Sequence, residues 1–326
     1  MQTHGGDLDL AIRRFGGAAA AWIDLSTGIN RIPYPLTDWP AEATALPTRA
    51  METAAAAAAA RAYGTSWSGL ALAGAQAAIQ ALPRLAAPGD ARVLGPTYSE
   101  HARSLTAGGW TVREVAALAD LRGAELAVVV NPNNPTGAIL DPAILRDLAR
   151  DVRLLVVDES FADVVPNVSL LPGAEPANVL VLRSFGKFFG LAGLRLGFAF
   201  AAPPLLGPLS AALGPWAVNG PALSVGVRAL DDTDWQARTR TRLAEDARRL
   251  DGLSSAAGWA LLGGTGLFRL YQTADAAAAQ AHLARHRIWS RVFDYAPGWL
   301  RLGLPAAQAE WARLATALEK TSARQG

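Results

Sequence analysis

Short apolar runs punctuate the first two thirds of the chain: GLALA (69–73), ARVLG (91–95), LAVVV (126–130), RLLVVD (153–158), NVLVLRS (178–184) and LRLGFAFA (194–201). They lack the in-and-out alternation of a strand with one wet face, so each predicts a strand buried on both sides. Helix-period stretches such as QAAIQALPRLA and DPAILRDLARD lie between many of them. Strand and helix in alternation predict an α/β fold, with a mainly parallel sheet covered by helices.

After about residue 225 the pattern changes. A long charged helix, DTDWQARTRTRLAEDARRL, precedes strand-like GLFRLYQ, IWSRVF and WLRLGL, and AAQAEWARLATALEK closes the chain. This mixture predicts a smaller α+β domain. The expected organisation is an N-terminal segment at 1–40 packing with the small domain and the active site, a large α/β domain at 41–225, and the small domain at 226–326. The alanine-rich METAAAAAAARAYG predicts a helix, because alanine loses no side-chain entropy there.

Composition narrows the function classes. The chain has 326 residues, 51% hydrophobic and 18% charged, enough for a large buried core. Its formal charge of +2 comes without a lysine or arginine tract, which argues against nucleic acid and anionic membrane as partners. With no cysteine there are no disulfides, thiolate metal sites or thiol nucleophiles. Of the four histidines, His282 and His286 sit four apart in a polar, alanine-rich segment, which reads as a solvated helix face and not a metal site. The N-terminus has neither an apolar signal core nor a membrane span, so a cytoplasmic protein is expected.

In open α/β sheets ligands gather beyond the carboxyl ends of the strands, and the polar residues here stand at those ends. Gly74, Ala75 and Gln76 open a helix directly after GLALA, where free backbone N–H groups suit a phosphate. In VVVNPNNPTGAIL, prolines hold Asn131, Asn133 and Asn134 beyond a buried strand. Asp158 ends the apolar run LLVVD, and a carboxylate so placed needs a donor or a cation. RSFGKFFGLAGLRLGF then sets Lys187 among Phe185, Phe188 and Phe189, three residues after Ser184 and eight before Arg195. Partial desolvation there favours a nucleophilic amine able to form a Schiff base. Each part has a bland reading: turn chemistry, a helix cap, an ion pair, a surface lysine.

Together the parts match what pyridoxal 5'-phosphate requires: a lysine for its aldehyde, a carboxylate for its ring nitrogen, and donors for its phosphate. Asn134 suits the ring hydroxyl oxygen, and Tyr98, in LGPTYSEH, suits the ring face. The order Asn-Pro-Thr-Gly, Asp-Glu-Ser-Phe, Ser-Phe-Gly-Lys, Arg-Leu-Gly-Phe resembles the class I/II, fold-type I aminotransferase superfamily over nearly the whole chain. The resemblance implies that Lys187 carries the cofactor, that Ser184 and Arg195 bind its phosphate, and that Arg301, in WLRLGLP, meets a substrate carboxylate. It also implies a homodimer.

HGGDLDLAIRRFGG followed by WIDLSTGINRIPYP resembles the N-terminus of the cobalamin-pathway L-threonine-O-3-phosphate decarboxylases. That likeness implies His4, Gly5, Gly28 and Asn30 as substrate contacts, with Asn134, and Arg291, in WSRVFDY, as a second substrate arginine. Two arginines suit a phosphorylated amino acid, which bears a carboxylate and a phosphate. Three positions depart from the family pattern: Arg31 stands where proline is usual, Leu46 where a tyrosine reaches a cofactor phosphate across the dimer, and Phe161 where many aminotransferases have tyrosine. The expected reaction is decarboxylation of L-threonine O-3-phosphate. The rivals are an aminotransferase of the histidinol-phosphate type and a non-catalytic scaffold.

Overall fold

The computed structural model describes residues 5–36 and 41–322. They fall into two compact units. One comprises residues 33–134 and 138–236, the other 1–32, 135–137 and 237–326.

The larger unit is built on a seven-stranded sheet in the order Gly69–Leu72, Gly197–Phe200, Val179–Ser184, Leu155–Asp158, Leu126–Val130, Asp90–Leu94, Thr111–Val115. The strands from Val179–Ser184 onward are parallel to one another, whereas Gly197–Phe200 runs antiparallel to both of its neighbours. All six apolar runs are strands of this sheet. Leu126–Val130 and Leu155–Asp158 are buried at every position, which is why neither alternates in polarity.

Thr111–Val115 was not expected. Its sequence TVREV is half polar because it is the edge strand and most of its side chains meet water. The alanine-rich stretch forms Arg49–Ala62, capped by Thr48, whose side chain accepts from the Met51 amide. Ala55, Ala58 and Ala59 share its buried face, three and four residues apart, and their small size lets the helix Gly220–Asp231 pack closely.

The smaller unit holds a four-stranded antiparallel sheet in the order Arg291–Phe293, Ala296–Gly303, Phe268–Gln272, Ala260–Thr265. IWSRVF, expected as one strand, is two. Ile288–Trp289 pairs in parallel with Ile23–Asp24, while Arg291–Phe293 joins the antiparallel sheet. Ala260–Thr265 was missed because it is an edge strand with Leu261 and Leu262 exposed. The helix Leu8–Phe15 is capped by Asp7 and lays Ala11 and Phe15 against Trp22 and Trp289, whose rings meet edge to face at 6.4 Å. These aromatics hold the N-terminal segment to its own unit. Among the described residues no helix is long and apolar enough to cross a membrane, and no group of three histidine or acidic side chains could hold a metal.

Candidate active site

Asp158 closes the strand Leu155–Asp158 and is buried. One oxygen, Oδ2, lies 2.9 Å from Nε2 of His101, itself wholly buried. The other, Oδ1, accepts from the Ser160 amide at 2.9 Å and from its hydroxyl at 2.5 Å. Burial pushes this carboxyl up, but the hydrogen bonds from His101 and Ser160 outweigh it and hold it below the ordinary aspartate value. The group is therefore an anion kept ready at the end of a strand. His101 comes from the helix Glu100–Ala107 and was not singled out from the sequence. One turn after Tyr98 it reads as an ordinary helix residue, and only the sheet brings it to Asp158.

The next strand, Val179–Ser184, runs straight into a single helical turn, Phe185–Phe188, which presents Lys187 half-buried. Its Nζ stands 5.8 Å from the centre of the Phe161 ring. Phe185 and Phe189 stack at 4.4 Å, and Phe188 and Phe189 both pack on Trp235, so the turn is fixed by its aromatic underside. Arg195 adopts the left-handed conformation, φ 55°, which costs a non-glycine residue about 1–2 kcal/mol. That conformation sets its guanidinium against Gly74, where an added Cβ would lie 2.7 Å from Nη2. Gly74 itself has φ 76° and caps the helix Ala75–Ala81. Strain at Arg195 and a missing side chain at Gly74 thus bring a cation beside the start of that helix.

Gln76 and Tyr98 are joined, the tyrosine hydroxyl donating to Oε1 at 3.1 Å, and burial pushes the Tyr98 hydroxyl up to about 12. Tyr98 therefore stays a neutral donor. Ser184 ends its strand opposite Gly197. Asn134 is half-buried in the turn beyond Leu126–Val130. Asn131 belongs to the scaffold: its amide donates to the Leu140 and Val168 carbonyls and its oxygen accepts from the Leu140 amide. Asn133 likewise braces Thr97 and Pro96.

Behind Asp158 and Ser184, on neighbouring residues, lies a buried ionic cluster. Arg183 donates to Glu159 at 3.0 Å and to Asp163 at 2.8 Å, and its guanidinium lies 3.9 Å from the centre of the Tyr63 ring. Glu159 also accepts from the Ser169 hydroxyl and the Leu170 amide. Burial pushes Glu159 up despite these partners, and burial pulls Arg183 down but is outweighed by its anionic neighbours, Asp163 first, so that it is raised.

In the smaller unit, Arg291 and Arg301 are register partners on adjacent antiparallel strands. Each lies over a phenylalanine ring, Arg291 on Phe293 at 5.3 Å and Arg301 on Phe268 at 5.1 Å. Burial, and then the positive charge of Arg291, pushes Arg301 down to about 10. Burial also lowers Arg291. Like charges facing each other across a sheet are unfavourable until an anion joins them.

Arg301 Nη2 donates to the Ser26 carbonyl at 2.7 Å, and a Cβ on Gly5 would lie 3.5 Å from that same nitrogen. Gly28 is buried in the following turn. The oxygen of Asn30 accepts from Arg242 at 2.8 Å and from the Ile32 amide, which commits it to the fold. Arg31 pairs with Glu310 at 2.5 Å and donates to the Asp24 carbonyl, a tie that proline at this position could not make. Leu46 is 65% exposed. His4 lies outside the described residues.

A family model for aminotransferase class I and II matches residues 46–318. The chain belongs to this family. It is 45% identical over 98% of its length to threonine-phosphate decarboxylase of Pseudomonas aeruginosa, covering 97% of that protein. To threonine-phosphate decarboxylase of a Sinorhizobium species it is 46% identical, covering 98% of each chain. Among solved structures, histidinol-phosphate aminotransferase of Sinorhizobium meliloti in complex with pyridoxal-5'-phosphate matches with TM-score 0.82 at 20% identity, over 100% of this chain and 96% of that one.

The groups in the larger unit fit pyridoxal phosphate: an amine on a rigid turn, a buried carboxylate held ionised, and a guanidinium beside a helix start where a Cβ would intrude.

Proposed function

We propose that this protein is a pyridoxal phosphate-dependent lyase that decarboxylates L-threonine O-3-phosphate to (R)-1-amino-2-propanol O-2-phosphate. The observation that carries the reading is the register pairing of Arg291 with Arg301, two cations opposite each other on one sheet face, suited to a ligand with two anionic groups. Full-length likeness to proteins named threonine-phosphate decarboxylase supports it.

Pyridoxal phosphate, when bound, supplies an electron sink for the pair left on the substrate Cα after a bond there breaks. Lys187 would hold it through Nζ, and the same amine would return a proton to Cα. Asp158 keeps a proton on the ring nitrogen, an office its depressed pKa favours by keeping the carboxylate charged. Asn134 would donate to the ring oxygen, Tyr98 would cover the ring face, and Ser184, Arg195 and the amides of Ala75 and Gln76 would take the phosphate, with Gly74 leaving room beside Arg195 while its own amide donates to the Leu72 carbonyl. Arg301 takes the substrate carboxylate, with Arg291, Gly28 and the N-terminal residues His4 and Gly5 toward the phosphate. By holding the carboxylate, Arg301 would select which bond at Cα breaks, and Lys187 would supply the proton that Cα takes in place of the departing carbon dioxide.

Incubation of the cofactor-loaded protein with L-threonine O-3-phosphate is expected to release carbon dioxide and the amino alcohol phosphate with no oxo-acid present. Failure to release carbon dioxide overturns the reading, and formation of glutamate from 2-oxoglutarate in its place supports an aminotransferase of the histidinol-phosphate type. The reading extends to a cytoplasmic homodimer, since a phosphorylated amino acid is too polar to cross a bilayer unaided and the superfamily resemblance implies two subunits. Sedimentation of the purified protein tests the dimer.

A further inference from the structure

Ser26 uses every polar group it has within a few ångströms of Arg301. Its amide and its hydroxyl both donate to Asp24 Oδ1, at 2.9 and 2.6 Å. Because the carboxylate can only accept, the serine proton is committed to it, and the hydroxyl oxygen is left to accept from the Gly6 amide at 2.8 Å. The Ser26 carbonyl accepts from Arg301 Nη2. The peptide before it is pinned on both sides: the Leu25 amide donates to the Trp289 carbonyl, and the Leu25 carbonyl accepts from the Gly303 amide. The direction of the Ser26 carbonyl is therefore fixed by the sheet, and the position of Gly6 is fixed by the Ser26 hydroxyl. Gly5 must be glycine at this approach, since a Cβ there would run into the Ser26 carbonyl.

We infer that Ser26 is the positioning residue that latches the Gly5–Gly6 turn over the Arg301 guanidinium and so sets affinity for the substrate carboxylate. Its carbonyl aims the arginine from one side, and its hydroxyl holds the segment that covers it. The consequence for affinity rests on the proposed role of Arg301, whereas the latch itself does not. Ser26→Ala separates the two contacts, because it keeps the carbonyl and deletes the hydroxyl.

The test uses the cofactor-loaded full chain. In Ser26→Ala, backbone amide exchange over residues 5–10 is expected to accelerate about tenfold, as expected for losing one hydrogen bond, while residues 297–303 keep their protection. KM for L-threonine O-3-phosphate is expected to rise about tenfold with kcat within about twofold, the pattern of lost ground-state binding. Gly5→Ala is expected to act alike, and the double variant to be no worse than the stronger single, because both open one latch. Unchanged exchange over residues 5–10 in Ser26→Ala overturns the inference, and so does a KM effect that adds up in the double variant. If the wild-type protein releases no carbon dioxide, the functional reading falls while the exchange result still decides the latch.

Discussion

His101 Nε2 lies 2.9 Å from Asp158 Oδ2, and both side chains are buried. This contact, with those from Ser160, offsets the burial that would otherwise push the carboxyl up. Because the folded-state pKa is depressed, Asp158 contributes stability above its unfolded value, about 4, and loses it as pH falls through the folded value. His101→Leu removes the largest opposing contact. The acid-unfolding midpoint should therefore move to higher pH, with a loss of about 1–3 kcal/mol near neutrality. Circular dichroism over an acid titration checks this, and an unmoved midpoint would remove His101 from the account.

Lys187→Ala should fold normally, since the side chain is half-buried and the turn is held by Phe185, Phe188 and Phe189. Carbon dioxide release should fall by at least about a thousandfold, and the absorption band of the lysine-bound cofactor should vanish. A scaffold protein would show neither change, so the spectrum alone separates the two.

Gly74→Ala is expected to weaken cofactor retention more than folding. The left-handed backbone strains any side chain, and the new Cβ would press on Arg195 Nη2, 2.7 Å away. Arg195 is exposed and can shift, so the loss of stability, about 1–3 kcal/mol, comes from a backbone at φ 76° and ψ 159° that suits glycine alone. Titration of the apoprotein with pyridoxal phosphate should show an affinity about tenfold weaker or more.

The larger unit was legible in outline because its central strands are buried on both faces and so read as unbroken apolar runs, whereas Asp90–Leu94, expected to be buried on both sides, alternates between buried and half-buried positions. What escaped was local: Thr111–Val115 and Ala260–Thr265 sit at sheet edges, where water takes the place of a packing partner and the apolar run dissolves. Lys187, Asp158 and Arg195 stood out because a charge beside an apolar strand needs a reason. His101 did not, because its role comes from a partner 57 residues away. Asn30 illustrates the converse, a polar loop residue whose oxygen proves to serve Arg242.

Arg183→Met should be among the most damaging substitutions outside the chemistry. It would leave Glu159 and Asp163 buried without their shared cation, at a cost of about 3–5 kcal/mol. Since Glu159 follows Asp158 and Arg183 precedes Ser184, the strand ends that carry the cofactor groups should loosen with it. The double variant Arg183→Met, Asp163→Asn should recover part of the loss in a denaturant titration, because fewer charges remain unpaired.

Arg291 faces Arg301 across paired strands, and after burial the charge of Arg291 is the next cause that lowers Arg301. Arg291→Gln removes one charge from a half-buried site while keeping polar reach. Ligand-free protein carrying it should be more stable than wild type by about 0.2–1 kcal/mol, the range for like charges opposed across a sheet. Activity should move the other way, with KM for L-threonine O-3-phosphate rising about tenfold or more as one anchoring arginine is lost. Thermal melting with and without the substrate separates the effects: wild type should gain more from the ligand than the variant, reversing their order. A variant less stable in both conditions would mean that Arg291 serves the fold, and the pair would lose its place as the anion site.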